Sequence, residues 1–276
     1  MEFCINEMSI AEQGGLISHI AACAVQDVRC MEISKKSLLE YLRGGGTLEY
    51  LRSALDGYGV RPVCVNSIES ISFNPKRGMR VLLEMSEYLF YCCRCLGCNC
   101  VEVIGSFRVP TQDEAEIEAE TVRALALLAD AAKPYGIRLA LEYMGMAGSS
   151  VFCFAQALSI VRKTGRENVG LLVDTWHHYA SGSAPEELLD AKASEICVAH
   201  ISDCPACEPG RAERTDSLLP GDGAAPLRAM LENLASIGYC GPLSAEIFTP
   251  SIRTLPPPAY IARAKAATLP LLAALK

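Results

Sequence analysis

Four side chains of metal-binding type end four consecutive apolar runs in the second half of the chain. The runs close as Leu-Ala-Leu-Glu142, Leu-Leu-Val-Asp174, Cys-Val-Ala-His200 and Leu-Ser-Ala-Glu246. Their separations of 32, 26 and 46 residues are too long for a local motif, so a shared site requires a fold that gathers strand ends. Three carboxylates and one imidazole form an oxygen-rich donor set that suits Mn²⁺, Co²⁺, Mg²⁺ or Zn²⁺ better than a thiolate metal.

A structural role for each of these residues is the alternative. A single Asp or Glu after a strand is commonly a helix N-cap or a solvated loop residue. Four in consecutive runs are harder to explain in that way. If they meet at one place, three carboxylates repel one another unless a cation is bound or some are protonated or paired. The pattern therefore favours one bound divalent metal ion.

The elements that would carry these residues follow a repeating order. Short apolar runs of strand length alternate with polar loops and longer segments, several of which have apolar residues at helical spacing. Continuous apolar runs are typical of parallel strands that are covered on both faces. The eight predicted strands are residues 3–5, 28–33, 60–65, 100–104, 137–141, 169–173, 196–201 and 243–247, and the clearest helices are 76–96, 113–133, 154–163, 224–237 and 259–274.

Eight such units in 276 residues predict one domain. Each unit has about 34 residues, which is close to what a (β/α)8 barrel uses. We therefore predict an α/β fold, a single (β/α)8 TIM barrel over residues 1–276, in which the strand ends meet at one face. An open doubly wound sheet is the alternative, but no G-x-G-x-x-G motif follows an early strand to support a dinucleotide-binding version.

Composition excludes several classes of function. The chain has 25 Lys plus Arg against 32 Asp plus Glu, a net charge of −7, and no block of basic residues, so nucleic acid is not an expected partner. No basic segment precedes an apolar stretch at the amino terminus, and no uncharged run reaches the roughly 18 to 20 residues of a membrane span. We expect a cytoplasmic protein without a membrane partner, and the sequence leaves a homo-oligomer open.

Fourteen cysteines are the unusual feature of the composition. Without a secretion signal they are expected to be reduced. The densest group, residues 92–100, invites an iron–sulfur or zinc interpretation because Cys95 and Cys98 form a C-x-x-C. It spans the end of a predicted helix and the start of a strand, and no second C-x-x-C at the usual spacing completes four ligands. Packing as small apolar residues is the favoured interpretation.

The motifs around the four residues resemble those of the xylose-isomerase-like TIM-barrel superfamily, the sugar phosphate isomerase/epimerase group. Within it, the chain length and the opening Phe3-Cys-Ile-Asn6-Glu7 resemble the inosose isomerases (2-keto-myo-inositol isomerases) of inositol catabolism. The motifs that carry the likeness are Leu-Val-Asp174-Thr-Trp-His177, His200-Ile-Ser-Asp203 and Pro220-Gly-Asp-Gly223, together with the terminal Glu142 and Glu246.

This resemblance implies a metal-dependent isomerase or epimerase of a small polyhydroxy ketone. A single divalent ion would be held by Glu142, Asp174, His200 and Glu246 and would bind the hydroxyketone of the substrate. Proton removal next to the carbonyl then gives an enediolate that the metal stabilises. Glu142 and Glu246, on opposite sides of the site, are the predicted acid and base. A metal-assisted hydride shift is the alternative mechanism.

Other residues near the strand ends are candidates for substrate contact, and each has a structural alternative. His177 follows Asp174 by three residues and is assigned to catalysis, with a backbone-bonded rim histidine as the alternative. The remaining candidates also have solvated, packing or turn roles as alternatives; they are Asn6, Glu7, Arg108, Trp176 and Asp203.

One segment departs from the pattern of the inosose isomerases. Their loop before Pro-Gly carries an Asp-Arg pair, whereas the aligned stretch here is Thr215-Asp-Ser-Leu-Leu219. The nearest arginines are Arg211 and Arg214. Either of them takes over the substrate contact, or the contact is lost.

Three other functions compete with isomerisation. A lyase, either a dehydratase of the 3-dehydroshikimate type or a 3-keto-C-glycoside deglycosidase subunit, would use the same metal and base for elimination. An apurinic endonuclease needs additional histidines to bind three zinc ions. This chain has only four histidines in all, which is too few for such a site, so the endonuclease is disfavoured. A barrel that binds metal without turnover is disfavoured because both Glu142 and Glu246 are present.

Overall fold

Eight parallel strands close into a barrel in the computed structural model, which describes residues 1–275. Each strand pairs with its neighbours in sequence order, and β8 pairs with β1 to close the ring. The predicted (β/α)8 TIM barrel is confirmed. The strands are β1 Glu2–Asn6, β2 Cys30–Ser34, β3 Arg61–Ile68, β4 Cys100–Ile104, β5 Arg138–Glu142, β6 Val169–Asp174, β7 Ile196–Ile201 and β8 Pro242–Ala245.

Helices cover the outside of the barrel. The 21-residue helix predicted at 76–96 is observed at those bounds and ends at Gly97, whose φ of 72° suits a residue without a Cβ. The helices are α1 Leu16–Val25, α2 Lys35–Arg43, α3 Leu48–Tyr58, α4 Lys76–Leu96, α5 Glu114–Ala132, α6 Phe154–Thr164, α7 Thr175–Ala180, α8 Leu227–Ser236, α9 Pro250–Arg253 and α10 Pro257–Ala273.

The connection between β6 and β7 departs from the expected strand–helix repeat. It contains the six-residue α7 and two 3-10 segments, Pro185–Asp190 and Ala193–Glu195, instead of a long helix. Gly182, with φ of 80°, and Pro185 prevent the helix from continuing beyond α7. The functional consequence is that α7 begins directly at the end of β6, next to Asp174.

Strand β8 is shorter than predicted, since it ends at Ala245. Glu246 nevertheless continues the barrel ladder, because its backbone N–H donates to the carbonyl of Ile201 on β7 at 3.2 Å. The side chain of Glu246 is therefore placed by the sheet rather than by a free loop.

The inner face of the barrel changes in character along its axis. Because side chains alternate along a strand, the residues two positions before the predicted ligands share their face. Three of the four, Ala140, Leu172 and Val198, belong to a small buried cluster separate from the main core between strands and helices, and the fourth, Ser244, is also buried. The cluster comprises Cys64, Cys100, Ala140, Leu172 and Val198. The barrel interior is thus filled by small and apolar side chains below and by ionisable ones at the carboxyl ends of the strands.

The cysteines take part in this packing. All fourteen are free thiols, and burial raises the pKa of Cys64 well above its usual range. Within the 92–100 segment, Cys92, Cys93 and Cys98 are buried in the main core whereas Cys95 is exposed, so these thiols point in different directions.

Among residues 1–275, no helix combines the length and the apolar composition needed to cross a bilayer.

Candidate metal centre

The four side chains at the ends of β5 to β8 converge at the carboxyl end of the barrel. Ligand atoms of Glu142, Asp174, His200 and Glu246 all lie within 4.8 Å of one another. None of the four residues is more than 4 % exposed. Adjacent parallel strands therefore do bring together residues that are up to 104 positions apart in the chain.

The distances within this cluster fit a single small cation. The Nδ1 atom of His200 lies 3.6 Å from Glu142 Oε1, 3.6 Å from Asp174 Oδ2 and 3.5 Å from Glu246 Oε2. Ligands at about 2.0 to 2.1 Å in a tetrahedron around one ion are separated by roughly 3.3 Å. Both His200 Nδ1 and Glu142 Oε1 are buried without a hydrogen-bond partner. These residues fit a divalent metal of the kind expected from an oxygen-rich set with one nitrogen.

Electrostatics within the cluster reflect the crowding of negative charge. Burial, reinforced by the nearby carboxyl of Glu102, raises the pKa of Glu142 well above its usual range. Burial opposes the charged form of His200, yet the surrounding carboxylates, Glu32 first, raise the pKa of its imidazole. Burial likewise disfavours ionised Glu246, but the Arg214 guanidinium holds the pKa of that carboxyl below its ordinary value. A divalent cation would relieve the remaining repulsion among these acids.

Two further acids on the inner face were missed by the sequence analysis. Glu32 on β2 and Glu102 on β4 are buried, and their oxygens group with His200 within 4.8 Å. Burial raises the pKa of Glu102 to about 8. A signal was present in the sequence: each is a lone charged residue inside an apolar run, Cys-Met-Glu32-Ile and Cys-Val-Glu102-Val-Ile.

Asn6 lies beside the predicted metal ligands, as its position at the end of the first predicted strand indicated. Its Nδ2 donates to Glu246 Oε1 at 2.8 Å, and its Oδ1 accepts from the backbone of Met8 and from Asn66 Nδ2. Asn6 therefore fixes the position of one predicted ligand. A contact between Asn6 and a substrate stays a prediction.

Helix α7 places His177 and Trp176 beside the cluster. Asp174 caps this helix, since its Oδ1 accepts from the backbone N–H of His177 at 2.9 Å. The Nδ1 of His177 accepts from the backbone N–H of Gly145 at 3.1 Å, which leaves the proton of the neutral ring on Nε2. Burial lowers the pKa of His177 to about 4. His177 is thus a neutral hydrogen-bond donor, and the buried Trp176 packs edge-on against it with ring centroids 4.8 Å apart.

Glu7 is not brought to the cluster. Its Oε1 lies 2.8 Å from His19 Nδ1, and its Oε2 accepts from the backbone N–H of Ser34 at 2.9 Å. Both carboxylate oxygens are therefore engaged in joining β1 to α1 and β2. Arg108 is exposed in the loop after β4, where its backbone N–H donates to the carbonyl of Gly148. Neither residue has a contact with the four predicted ligands.

Asp203 organises the long loop between β7 and α8. Its two carboxylate oxygens accept from the backbone N–H groups of four residues in that loop. The four donors are Cys204, Gly221, Gly223 and Ala225. All of these contacts are internal, so Asp203 shapes the loop rather than pointing to His200.

Comparison with known proteins places this geometry in a family. Residues 20–270 match the family model described as xylose isomerase-like TIM barrel. The chain belongs to the xylose isomerase-like TIM-barrel family.

Individual members of the family resemble the whole chain. The inosose isomerase of Bacillus licheniformis is 30 % identical over 98 % of this chain and 97 % of that protein. The crystal structure of the IOLI protein with a bound zinc atom has a TM-score of 0.95 and 29 % identity, covering 100 % of this chain and 99 % of that one. The 3-dehydroshikimate dehydratase of Pseudomonas aeruginosa is 26 % identical over 90 % of this chain, which spans 38 % of that longer protein.

In this xylose isomerase-like barrel, Arg214 lies at the edge of the predicted metal centre. Arg214, in the loop that Asp203 organises, donates from Nη2 to Glu246 Oε1 at 2.9 Å, and its guanidinium lies 3.9 Å from the centroid of the Phe248 ring. Arg211 is exposed on the same loop. Of the two arginines considered for the missing Asp-Arg pair, the structure brings Arg214 to the predicted metal centre.

Proposed function

We propose that this protein is a divalent-metal-dependent isomerase or epimerase of a small polyhydroxy ketone, with an inosose as its substrate. The observation that carries the proposal is the cluster of Glu142, Asp174, His200 and Glu246 around a space suited to one cation. The 30 % identity to an inosose isomerase over nearly the whole of both chains supports the choice of substrate class.

The same four side chains are the proposed ligands of the ion. A divalent ion bound there supplies Lewis-acid stabilisation for negative charge that develops on a carbonyl oxygen of the substrate. Zinc and manganese both accept such a donor set, and the zinc atom in the IOLI structure supports zinc.

Proton transfer is assigned to the two glutamates. Glu142 and Glu246 extend from β5 and from the end of β8, so they flank the cluster from two sides. Because Glu142 Oε1 faces the other proposed ligands, its second carboxylate oxygen is assigned to take a proton from the carbon next to the carbonyl, as an enediolate route requires. Glu246 Oε1 is held by Asn6 and Arg214, which keeps that side chain aimed at the site.

His177 and Arg214 are the proposed contacts for substrate oxygens. The Nε2–H of the neutral His177 ring is a donor beside Asp174, and Arg214 is a fixed cation beside Glu246. Trp176 supplies a buried apolar side chain next to His177. Together they offer donors to a ligand rich in hydroxyl and carbonyl groups without a change of protonation state near neutral pH.

A metal-dependent lyase is the second candidate. The likeness to a 3-dehydroshikimate dehydratase supports it, although this chain spans only 38 % of that protein. The same glutamates would remove a proton, but a neighbouring hydroxyl would leave as water instead of the proton being returned. The full-length likeness to an inosose isomerase makes isomerisation the better supported reaction.

A small sugar-like molecule is the proposed partner, converted in the cytoplasm as a step of inositol catabolism. The negative charge of the site and of the whole chain would repel a nucleic-acid backbone. A homo-oligomer remains a prediction that sedimentation of the purified protein would test.

The decisive experiment combines product identity with isotope uptake. Protein loaded with Zn²⁺ or Mn²⁺ is incubated with a panel of inososes and ketoses in D₂O, and products are followed by NMR. We expect an isomerised inosose that carries deuterium at the reacting carbon. Isomerisation without deuterium would replace the proton-transfer route by a hydride shift, and an unsaturated product with release of water would establish the lyase.

Two variants test the assigned residues. Glu142→Gln and Glu246→Gln should each reduce turnover by at least about 100-fold, the lower end of the usual contribution of general acid–base catalysis. Glu7→Gln is the matched control, because Glu7 is also a buried glutamate beside a histidine but has no contact with the cluster. Wild-type turnover of metal-loaded Glu246→Gln would show that the acid–base assignment is wrong.

A further inference from the structure

We propose that Glu32 is a positioning residue that fixes the tautomer and orientation of His200, so that Nδ1 faces the metal. The inference rests on the metal centre of the proposed function. It concerns an acid on β2, on the far side of the barrel interior from β7, whose role the proposed reaction leaves open.

The two ring nitrogens of His200 have different surroundings. Nδ1 faces the three predicted carboxylate ligands at 3.5 to 3.6 Å. Nε2 lies 2.9 Å from Glu32 Oε1, and both side chains are fully buried. A neutral imidazole has one N–H and one lone pair. A carboxylate beside Nε2 keeps the proton there and leaves the lone pair on Nδ1, where a metal can use it.

Glu32 has no other evident purpose at its position. Neither of its carboxylate oxygens has a regular hydrogen bond within residues 1–275, and both are inaccessible to solvent. A carboxylate in such surroundings is unfavourable unless it is compensated. The Nε2 atom of His200 is likewise buried without a regular hydrogen bond, and it lies 2.9 Å from Glu32 Oε1, so the two side chains are placed to compensate each other.

The second buried Glu–His pair of the protein shows how a purely structural pair differs. In that pair His19 Nδ1 lies 2.8 Å from Glu7, and His19 Nε2 lies 2.9 Å from the carbonyl oxygen of Gln13. Both nitrogens of His19 are engaged by the protein. In contrast, His200 Nε2 lies 2.9 Å from Glu32 Oε1 without a regular hydrogen bond, and its other nitrogen lies among the predicted metal ligands.

The experiment measures zinc affinity rather than turnover. Wild type, Glu32→Gln, Glu32→Leu and the control Glu7→Gln compete with a chromophoric chelator for Zn²⁺. Loss of a carboxylate that orients a metal-binding histidine typically weakens binding by about 10- to 100-fold. We expect about 10-fold for Glu32→Gln, which keeps an oxygen acceptor beside Nε2, about 100-fold for Glu32→Leu, and no change for Glu7→Gln.

The tautomer itself provides a second measurement. Long-range ¹H–¹⁵N correlation spectra of the zinc-loaded wild type should show the His200 proton on Nε2. The spectrum of Glu32→Leu should show a mixture of the two His200 tautomers or shifted ring-nitrogen signals. If Glu32→Leu fails to fold, the affinity and spectrum of Glu32→Gln decide the question.

The possible results separate this inference from the function on which it rests. Wild-type zinc affinity in both Glu32 variants would refute the positioning role and leave the metal centre intact. Absence of zinc binding by the wild type would refute the metal centre and, with it, this inference. Two zinc ions per chain, the second lost in Glu32→Gln, would make Glu32, Glu102 and His200 Nε2 a separate metal site and would also overturn the positioning role.

Discussion

Glu102 offers a prediction in which the pH dependence of stability can be worked out from one side chain. It is 3 % exposed on the inner face of β4. Burial raises its pKa from 4.5 to about 8, with Glu246 and Glu32 adding to the shift and His200 and Arg214 opposing it. The folded protein therefore binds a proton at Glu102 more tightly than the unfolded chain does.

The sign and size of the effect follow from this difference. The interval between 4.5 and about 8 is about 3.5 pKa units, which corresponds to at most about 5 kcal/mol. Because the folded pKa is the higher one, this contribution is complete below about pH 4.5 and is lost as the pH rises through about 8. Glutamine cannot ionise. Metal-free Glu102→Gln should therefore match the wild type near pH 4.5 and exceed its stability by several kcal/mol at pH 9.

Urea unfolding at pH 4.5, 7 and 9 of protein freed of metal by a chelator measures the difference. The exposed Glu87→Gln on α4 serves as the control for loss of one negative charge. We expect its difference from the wild type to stay within about 0.5 kcal/mol at all three pH values. If the free energies of unfolding of wild type and Glu102→Gln change in parallel with pH, the buried-acid argument is refuted.

Three further measurements test the site and the barrel interior. Zinc at 100 times its dissociation constant should stabilise the fold by about 2.7 kcal/mol and raise Tm by about 5 to 10 °C. The His200→Ala variant should show no such rise in Tm. An equal Tm of the wild type with zinc and with chelator would contradict the metal centre. Because burial lowers the pKa of His177 to about 4, its ring proton signals should stay constant between pH 6 and 9, whereas an inflection near 6.5 would show an accessible imidazole. A thiol reagent should modify Cys95 and Cys240 rapidly in the native protein, and rapid reaction of buried thiols such as Cys64 would show that the barrel interior is open.

The fold and the predicted ligands follow from local sequence signals. A continuous apolar run with an ionisable residue at its end identifies the strand and also the end of the barrel to which the residue belongs. Glu142 and Asp174 are the last residues of their strands and His200 is the last but one, so the sheet itself fixes the direction of these side chains. Glu246 follows the same rule, because its backbone extends the β8 ladder by one residue.

The remaining parts of the site depend on contacts that are distant in sequence. Since both faces of a parallel strand are buried, an apolar run does not reveal which of its residues face inward, and Glu32 and Glu102 were overlooked for that reason. Arg214 lies in a loop whose backbone N–H groups, up to 22 residues from Asp203, donate to the carboxylate of that residue. The sequence also carries no sign that His19 and the backbone of Ser34 engage the carboxylate of Glu7.

The alternation of side chains on the inner face also determines which changes of chain length the protein can tolerate. Leu172 and Asp174 share the inner face of β6, and Val173 between them packs into the core on the outside. A one-residue deletion within β6 would turn Val173 toward the site and Asp174 toward the helices. Insertions and deletions in this family should therefore be confined to the loops at either end of the barrel, so that lineages diverge by loop length while the length of each strand stays constant.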